Sequence, residues 1–251
     1  MKTHNVNGKV VLIAGGAKNL GGLLSRNLAA KGAKLVIHYN SESTRPDAEK
    51  TLAAVHASGA EAILVQGDLT KTEKITELFD AGMAKFGGID IAINTVGKVL
   101  KKPFAETTEA EYDSMSEINS KVAYFFLQEA GKKLNNDGKI CTIVTSLLAA
   151  YTGLYSTYAG MKAPVEHFTR AASKELGERG ISVTAVAPGP MDTPFFYGQE
   201  SDDAVAYHKS ASALGGLTNI KDIAPLVEFL ISDGWWITGQ TIFANGGYTT
   251  R

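Results

Sequence analysis

The feature that most constrains this chain is a regular alternation of short apolar, β-branched runs with longer segments of helical period. VVLIA at 10–14, KLVIHY at 34–39, AILVQ at 62–66 and IDIAIN at 89–94 each read as a strand buried on both faces. KICTIVT at 139–145, ISVTAVA at 181–187 and QTIFA at 240–244 continue the series. Between them lie helical patterns. In the first, Leu20, Leu23, Leu24 and Leu28 fall on one face and Gly32 supplies the stop. Parallel neighbours need crossover connections, so the order predicts an α/β fold, doubly wound, with helices on both faces of a parallel sheet of seven strands.

A chain of 251 residues with 44% hydrophobic and 20% charged side chains has enough apolar surface for a large core. No repeat or linker divides it, so residues 1–251 are expected to form a single domain. Residues 188–220 interrupt the regular order between the sixth and seventh strands, and so long an excursion predicts a loop or lid over a ligand. The formal net charge of -1 and the lack of a basic stripe argue against a nucleic-acid partner. The only cysteine, Cys141, lies in an apolar run and reads as a buried thiol. No stretch approaches the roughly 20 apolar residues needed to span a bilayer, and the N-terminal run lacks a signal-peptide core. A cytoplasmic protein with no membrane partner and no metal is expected.

Directly after the first strand, Gly15-Gly16-Ala17-Lys18-Asn19-Leu20-Gly21 opens the first helix. A glycine turn feeding a helix N-terminus lets backbone N–H groups approach a pyrophosphate, although glycine after a strand is also ordinary turn punctuation. At the tip of the second strand, where an acidic residue accepts from a ribose 2′-hydroxyl but repels a 2′-phosphate, stands Tyr39, followed by Asn40, Ser41, Glu42 and Ser43. With no aspartate there, and with Lys18, Asn40, Ser41 and Ser43 available to an extra phosphate, NADP(H) is favoured over NAD(H). Glu42 is the opposing detail.

Of nine tyrosines, only Tyr158 is followed by a lysine four residues later, and that spacing puts Tyr158 and Lys162 on one helix face. A phenol with a pKa of about 10 is a poor base near neutrality, and a neighbouring ammonium is expected to lower it. Ser146, twelve residues earlier at the tip of the fifth strand, is expected to hydrogen-bond the substrate oxygen as its charge changes. Leu147, Leu148, Tyr151, Phe195 and Phe196 read either as an apolar substrate pocket or as core or subunit contacts.

Taken in order, these motifs resemble the short-chain dehydrogenase/reductase family over nearly the whole chain. The first turn is similar to that family's Thr-Gly-x-x-x-Gly-x-Gly, with Ala14 for threonine and Asn19, a residue that tolerates positive φ, for the middle glycine. Asn94-Thr95-Val96-Gly97 resembles its Asn-Asn-Ala-Gly, and Ala244-Asn245-Gly246-Gly247 its last strand and tail. The resemblance implies a Rossmann-type, NADP(H)-dependent carbonyl reductase or alcohol dehydrogenase, similar to 3-oxoacyl thioester reductases. It implies that Asp68 and Leu69 meet the adenine, unless Asp68 only caps the next helix. It implies that Lys162 reaches the nicotinamide ribose, and that Asn119 holds water beside Lys162. Pro188, Gly189, Met191 and Thr193 would hold the carboxamide. A homotetramer is implied through helices near 108–134 and 155–179, with Phe125 and Phe126, or Val165 and Phe168, facing a partner. Two alternatives stay open: an enoyl reductase using Tyr155, seven residues before Lys162, and a dinucleotide-binding sensor or scaffold without turnover.

Overall fold

The computed structural model describes residues 4–250; positions 1–3 and 251 of the expected domain lie outside the described residues. β1 (Val10–Ala14), β2 (Lys34–Tyr39), β3 (Ala62–Gln66), β4 (Ile89–Asn94), β5 (Leu134–Ile143), β6 (Ser182–Pro188) and β7 (Thr241–Ala244) form one sheet. Its order is β3-β2-β1-β4-β5-β6-β7 and every pairing is parallel. The first four strands lie where the sequence predicts them. β5 begins earlier than its apolar run, because Leu134 pairs with Ile89 before the register shifts. Asp137, at φ 63, sits inside that polar entry.

Helices cover both faces. α1 (Asn19–Ala30) and α9 (Ile220–Leu230) share one core, where Leu24 and Leu28 of α1 and Ala224 and Val227 of α9 are fully buried. α3 (Thr72–Phe86) and α5 (Val122–Lys133) lie on the other, with the rings of Phe79 and Phe126 5.2 Å apart. Burying such side chains stabilises the fold by roughly 1.5–3 kcal/mol each, which fixes the strands' register against the helices. Outside β2, α2 (Arg45–Ala57) follows a single turn.

The chain winds outward from β1 to β3 and returns to β4 on the opposite side of β1. At such a switch point the connections leave in opposite directions, so a crevice opens at the carboxyl ends of β1 and β4. The helix expected at 108–134 is interrupted: α4 (Glu109–Ser116) and α5 flank a π-helical turn, Glu117–Lys121. α6 (Ser156–Leu176) carries the tyrosine and lysine. The 188–220 excursion is not structureless, since it holds α7 (Pro194–Tyr197) and α8 (Asp202–Ala211).

Phe126 and Val165 are fully buried core residues and do not face a partner. Phe125 and Phe168 are half-buried, each edge-on to the exposed Tyr124. Burial pushes the Cys141 thiol up to about 12, the mark of an inert side chain. Among the described residues, no helix is long and apolar enough to cross a membrane.

Candidate active site

The glycine turn takes the shape its residues permit. Gly15 has φ +75 and Asn19 φ 48, so asparagine does occupy the left-handed region at the position where the family has glycine. A Cβ on Gly21 would lie 2.1 Å from the Gly15 carbonyl oxygen, so only glycine lets α1 start this close to the turn. Lys18, the N-cap residue, makes no side-chain cap bond, which leaves first-turn N–H groups available to an anion.

One residue the sequence reading missed holds this turn. His38, on β2, accepts at Nδ1 from the Gly15 N–H (3.0 Å), and its Nε2 is 2.7 Å from the Gly67 carbonyl oxygen. Accepting at one nitrogen while donating at the other requires neutral imidazole. Burial favours that form, lowering the His38 pKa to about 4. A histidine inside a strand carries no periodic signal that separates a strut of this kind from a core residue.

A cleft of about 550 Å³ runs from the turn to α6. Gly15, Lys18, Asn19, Leu20 and Gly21 line one part; Tyr39, Asn40, Asp68 and Leu69 form the end beyond β2 and β3. Thr95, Val96 and Gly97 lie midway, and Met191, Thr193, Tyr158 and Lys162 close the far end. Asp68 also accepts from the N–H and hydroxyl of Thr70, a turn ahead of α3, whose N-cap is Lys71 and carries no side-chain cap bond, so Asp68 does not cap that helix. Five predicted contacts lie outside this lining. The Ser41 and Ser43 hydroxyls bond each other at 2.9 Å. Asn94 turns its Oδ1 to the Val96 N–H (2.9 Å). Pro188 and Gly189 line a neighbouring pocket instead.

At the β2 corner, Glu42 does not present a free negative charge: Arg45 binds it at 2.7 and 3.0 Å. The Arg45 guanidinium lies 5.8 Å from the centre of the Tyr39 ring, placing a second cation beside Lys18's end of the cleft. Sequence reading missed Arg45, although a basic residue at the start of a helix just after the second strand was there to be weighed. Size, an uncapped helix N-terminus and cations at one corner together fit a phosphorylated dinucleotide.

At the far end, Tyr158 and Lys162 share the cleft wall. The Lys162 ammonium donates to the carbonyls of Val96 (3.1 Å) and Ile143 (3.0 Å), leaving one of its three donors. Gly97 makes room for it, since a Cβ there would lie 3.0 Å from both Lys162 Nζ and Asn119 Oδ1. Asn119, in the π-helical turn, bonds the N–H and carbonyl of Lys98 (3.1 and 3.0 Å). π-helical turns often occur where a side chain must be aimed at a site.

One expectation changes here. Burial, not Lys162, dominates the phenol: Tyr158 is pushed up to about 12, with a hydrogen bond from the Thr145 side chain acting the other way. Lys162 is lowered to about 8 by the same burial. Thr145, which the sequence reading missed, thus stands beside the phenol, and it lines the pocket beyond Tyr158 together with Ser146. The Ser146 hydroxyl is buried and has no hydrogen-bond partner.

Beyond Tyr158 lies a smaller pocket of about 70 Å³, walled by Leu147, Phe195 and Phe196 as predicted. Leu148 instead packs in the core near Val144 and Val165, and Tyr151 is fully exposed beyond the turn that ends at Ala149. The apolar expectation missed a polar wall. Tyr155 donates to Glu200, whose other oxygen meets Lys101 (2.5 Å) and lies 3.6 Å from His208 Nε2. His208 Nδ1 is in turn 2.7 Å from the Tyr248 hydroxyl. These partners come from four separate segments, so no local spacing could announce them.

A family model described as enoyl-(acyl carrier protein) reductase matches residues 15–249. A short-chain type dehydrogenase/reductase of Picea abies is 33% identical, over 96% of this chain and 92% of its own. Among solved structures, a dehydrogenase from Burkholderia cenocepacia with bound NADP superposes with a TM-score of 0.98 at 63% identity, covering 100% of this chain and 97% of that one. A blue fluorescent protein from a metagenomic library, in complex with NADPH, gives a TM-score of 0.91 at 28% identity, covering 98% of this chain and 100% of that one.

Proposed function

The chain belongs to the short-chain dehydrogenase/reductase family, oxidoreductases acting on CH–OH and C=O groups, and from that premise we propose that it moves a hydride between NADP(H) and a carbonyl or secondary alcohol carbon. The observation that carries this reading is the sharing of one cleft wall by Tyr158 and Lys162.

In this reading the Gly15–Gly21 turn and the start of α1 hold the pyrophosphate, while Lys18, Asn40 and Arg45 receive the 2′-phosphate. Asp68 and Leu69 flank the adenine; Asn94 braces the Thr95, Val96 and Gly97 floor; and Pro188, Gly189, Met191 and Thr193 surround the carboxamide. The free donor of Lys162 meets the nicotinamide ribose. NADPH, when bound, supplies a hydride for the carbonyl carbon.

Tyr158 supplies the proton. Its raised pKa keeps the phenol protonated at neutral pH, so the O–H bond breaks only as the substrate oxygen gains charge. The phenolate left behind is stabilised by the Thr145 hydroxyl and the Lys162 ammonium. Such stabilisation grows toward the transition state, and that difference is what accelerates the reaction. Asn119 holds the Lys98 backbone after β4, and water beside Lys162, through which the proton is restored. The same reading takes the chain as a cytoplasmic homotetramer, with the exposed Tyr112 and Tyr124 among its contacts.

The matched model's description raises the enoyl alternative through Tyr155. That hydroxyl is engaged by Glu200, and the carboxylate together with burial drives its pKa far upward. Tyr158 is the tyrosine in the cleft with Lys162, which favours carbonyl chemistry. NADPH consumption with small ketones, measured beside a trans-2-enoyl thioester, tests the choice. Ketones are expected to be reduced and the enoyl thioester not; reduction of the enoyl thioester alone would overturn the assignment.

A further inference from the structure

The pocket beyond Tyr158 holds two polar groups that the proton transfer does not use. The Ser146 hydroxyl is buried and has no partner. Buried polar groups are almost always hydrogen-bonded, so such an orphan at a cavity wall points to a missing ligand atom. The Glu200 side chain is 2% exposed and accepts from Tyr155 and Lys101, with His208 Nε2 3.6 Å away. An ionised carboxylate offers about four lone-pair sites, so at least one acceptor remains.

The cavity that Ser146 and Glu200 line also reaches Thr145 and Tyr158, and its volume is about 70 Å³. A 150 Å³ cavity accommodates benzene, so this one has room for roughly three to five heavy atoms and not for a long acyl chain. Leu147, Phe195 and Phe196 complete its wall. A small apolar ketone would leave the serine unsatisfied and the carboxylate's last site unused. A hydroxyl group, which both donates and accepts, complements the pair: it donates to Glu200 and accepts from Ser146.

We propose that the substrate is a compact hydroxyketone, or the corresponding vicinal diol in the reverse direction, whose hydroxyl is read by Ser146 and Glu200. This rests on the carbonyl reading of Tyr158 and names the substrate class for that site. Ser146 and Glu200 are specificity residues here, and no proton or hydride passes through them.

Hydroxyacetone and butan-2-one differ by a hydroxyl in place of a methyl group and are nearly isosteric. With NADP⁺ bound neither ketone is reducible, so ligand-observed NMR on that complex reads affinity alone; kcat/KM with NADPH reads turnover. Hydroxyacetone is expected to be favoured on the order of 100-fold in kcat/KM, because a site built to bond a hydroxyl discriminates strongly against its absence. Tighter binding of hydroxyacetone should accompany it. Ser146→Ala and Glu200→Gln should each narrow the ratio toward one; the serine variant removes only an unpartnered hydroxyl and guards against misfolding in the other. Equal binding and equal turnover of the two ketones would overturn the proposal and leave the carbonyl reading standing. Selective binding of hydroxyacetone with no reduction of either ketone would uphold the pocket's preference and sink the carbonyl reading. Failure of both to bind would overturn the proposal.

Discussion

At the scale of single residues, burial sets the chemistry. Lys162 is lowered to about 8, so its ammonium is present below that pH and lost as pH rises through it. Reduction is therefore expected to lose about tenfold in kcat/KM per pH unit above roughly 8, since the phenolate then forms without its countercharge. A profile flat to pH 10 would contradict this. Ser146 gives a second expectation. An unpaired buried hydroxyl costs about 1–3 kcal/mol, so Ser146→Ala should raise the denaturation midpoint by a few degrees, about 2–4 °C per kcal/mol at this chain length. A lower midpoint would mean that the hydroxyl has a partner. The positions of Tyr158 and Lys162 were legible because a helix fixes i, i+4 neighbours. Thr145 was overlooked because it adjoins a hydroxyl of the same chemistry, Ser146, and spacing along the chain does not separate the two.

At the scale of elements, the strands were readable from their apolar runs, and the limits of β1 to β4 follow the sequence directly. The start of β5 was not readable, because after Leu134 come asparagine, aspartate and glycine, which fall where the register with β4 shifts between the Leu134 and Lys139 pairs. The π-helical turn at Glu117–Lys121 was equally silent, having no composition of its own. The excursion at 188–220, expected to form a loop or lid, is joined to the segment after β4 by the ion pair between Glu200 and Lys101. Removing one partner of a buried pair strands the other charge, at a cost of about 3–5 kcal/mol. Lys101→Met is accordingly expected to speed hydrogen exchange across residues 194–211 by about 100-fold, with strands β1 and β4 unaffected. Unchanged exchange in that segment would show that the lid is held by other contacts.

At the scale of the whole molecule, the doubly wound order opens one crevice, which the proposed function uses for both binding and chemistry. The strand order reverses between β1 and β4, the glycine turn leaves one side, and α6 brings Tyr158 and Lys162 to the other. Cofactor choice is a property of that crevice's outer corner, where Arg45 neutralises Glu42 and Lys18 stands nearby. A ligand that binds only the folded state stabilises it by RT ln(1 + [L]/Kd), so at equal concentration NADPH is expected to raise the denaturation midpoint more than NADH. A larger shift with NADH would reverse the assignment. The test that reaches the central claim is Tyr158→Phe, measured for both NADPH affinity and ketone reduction. The account predicts a Kd for NADPH within about twofold of the parent and a loss of kcat by at least about 100-fold, the range attributed to a positioned general acid. Near-normal turnover in that variant would contradict it.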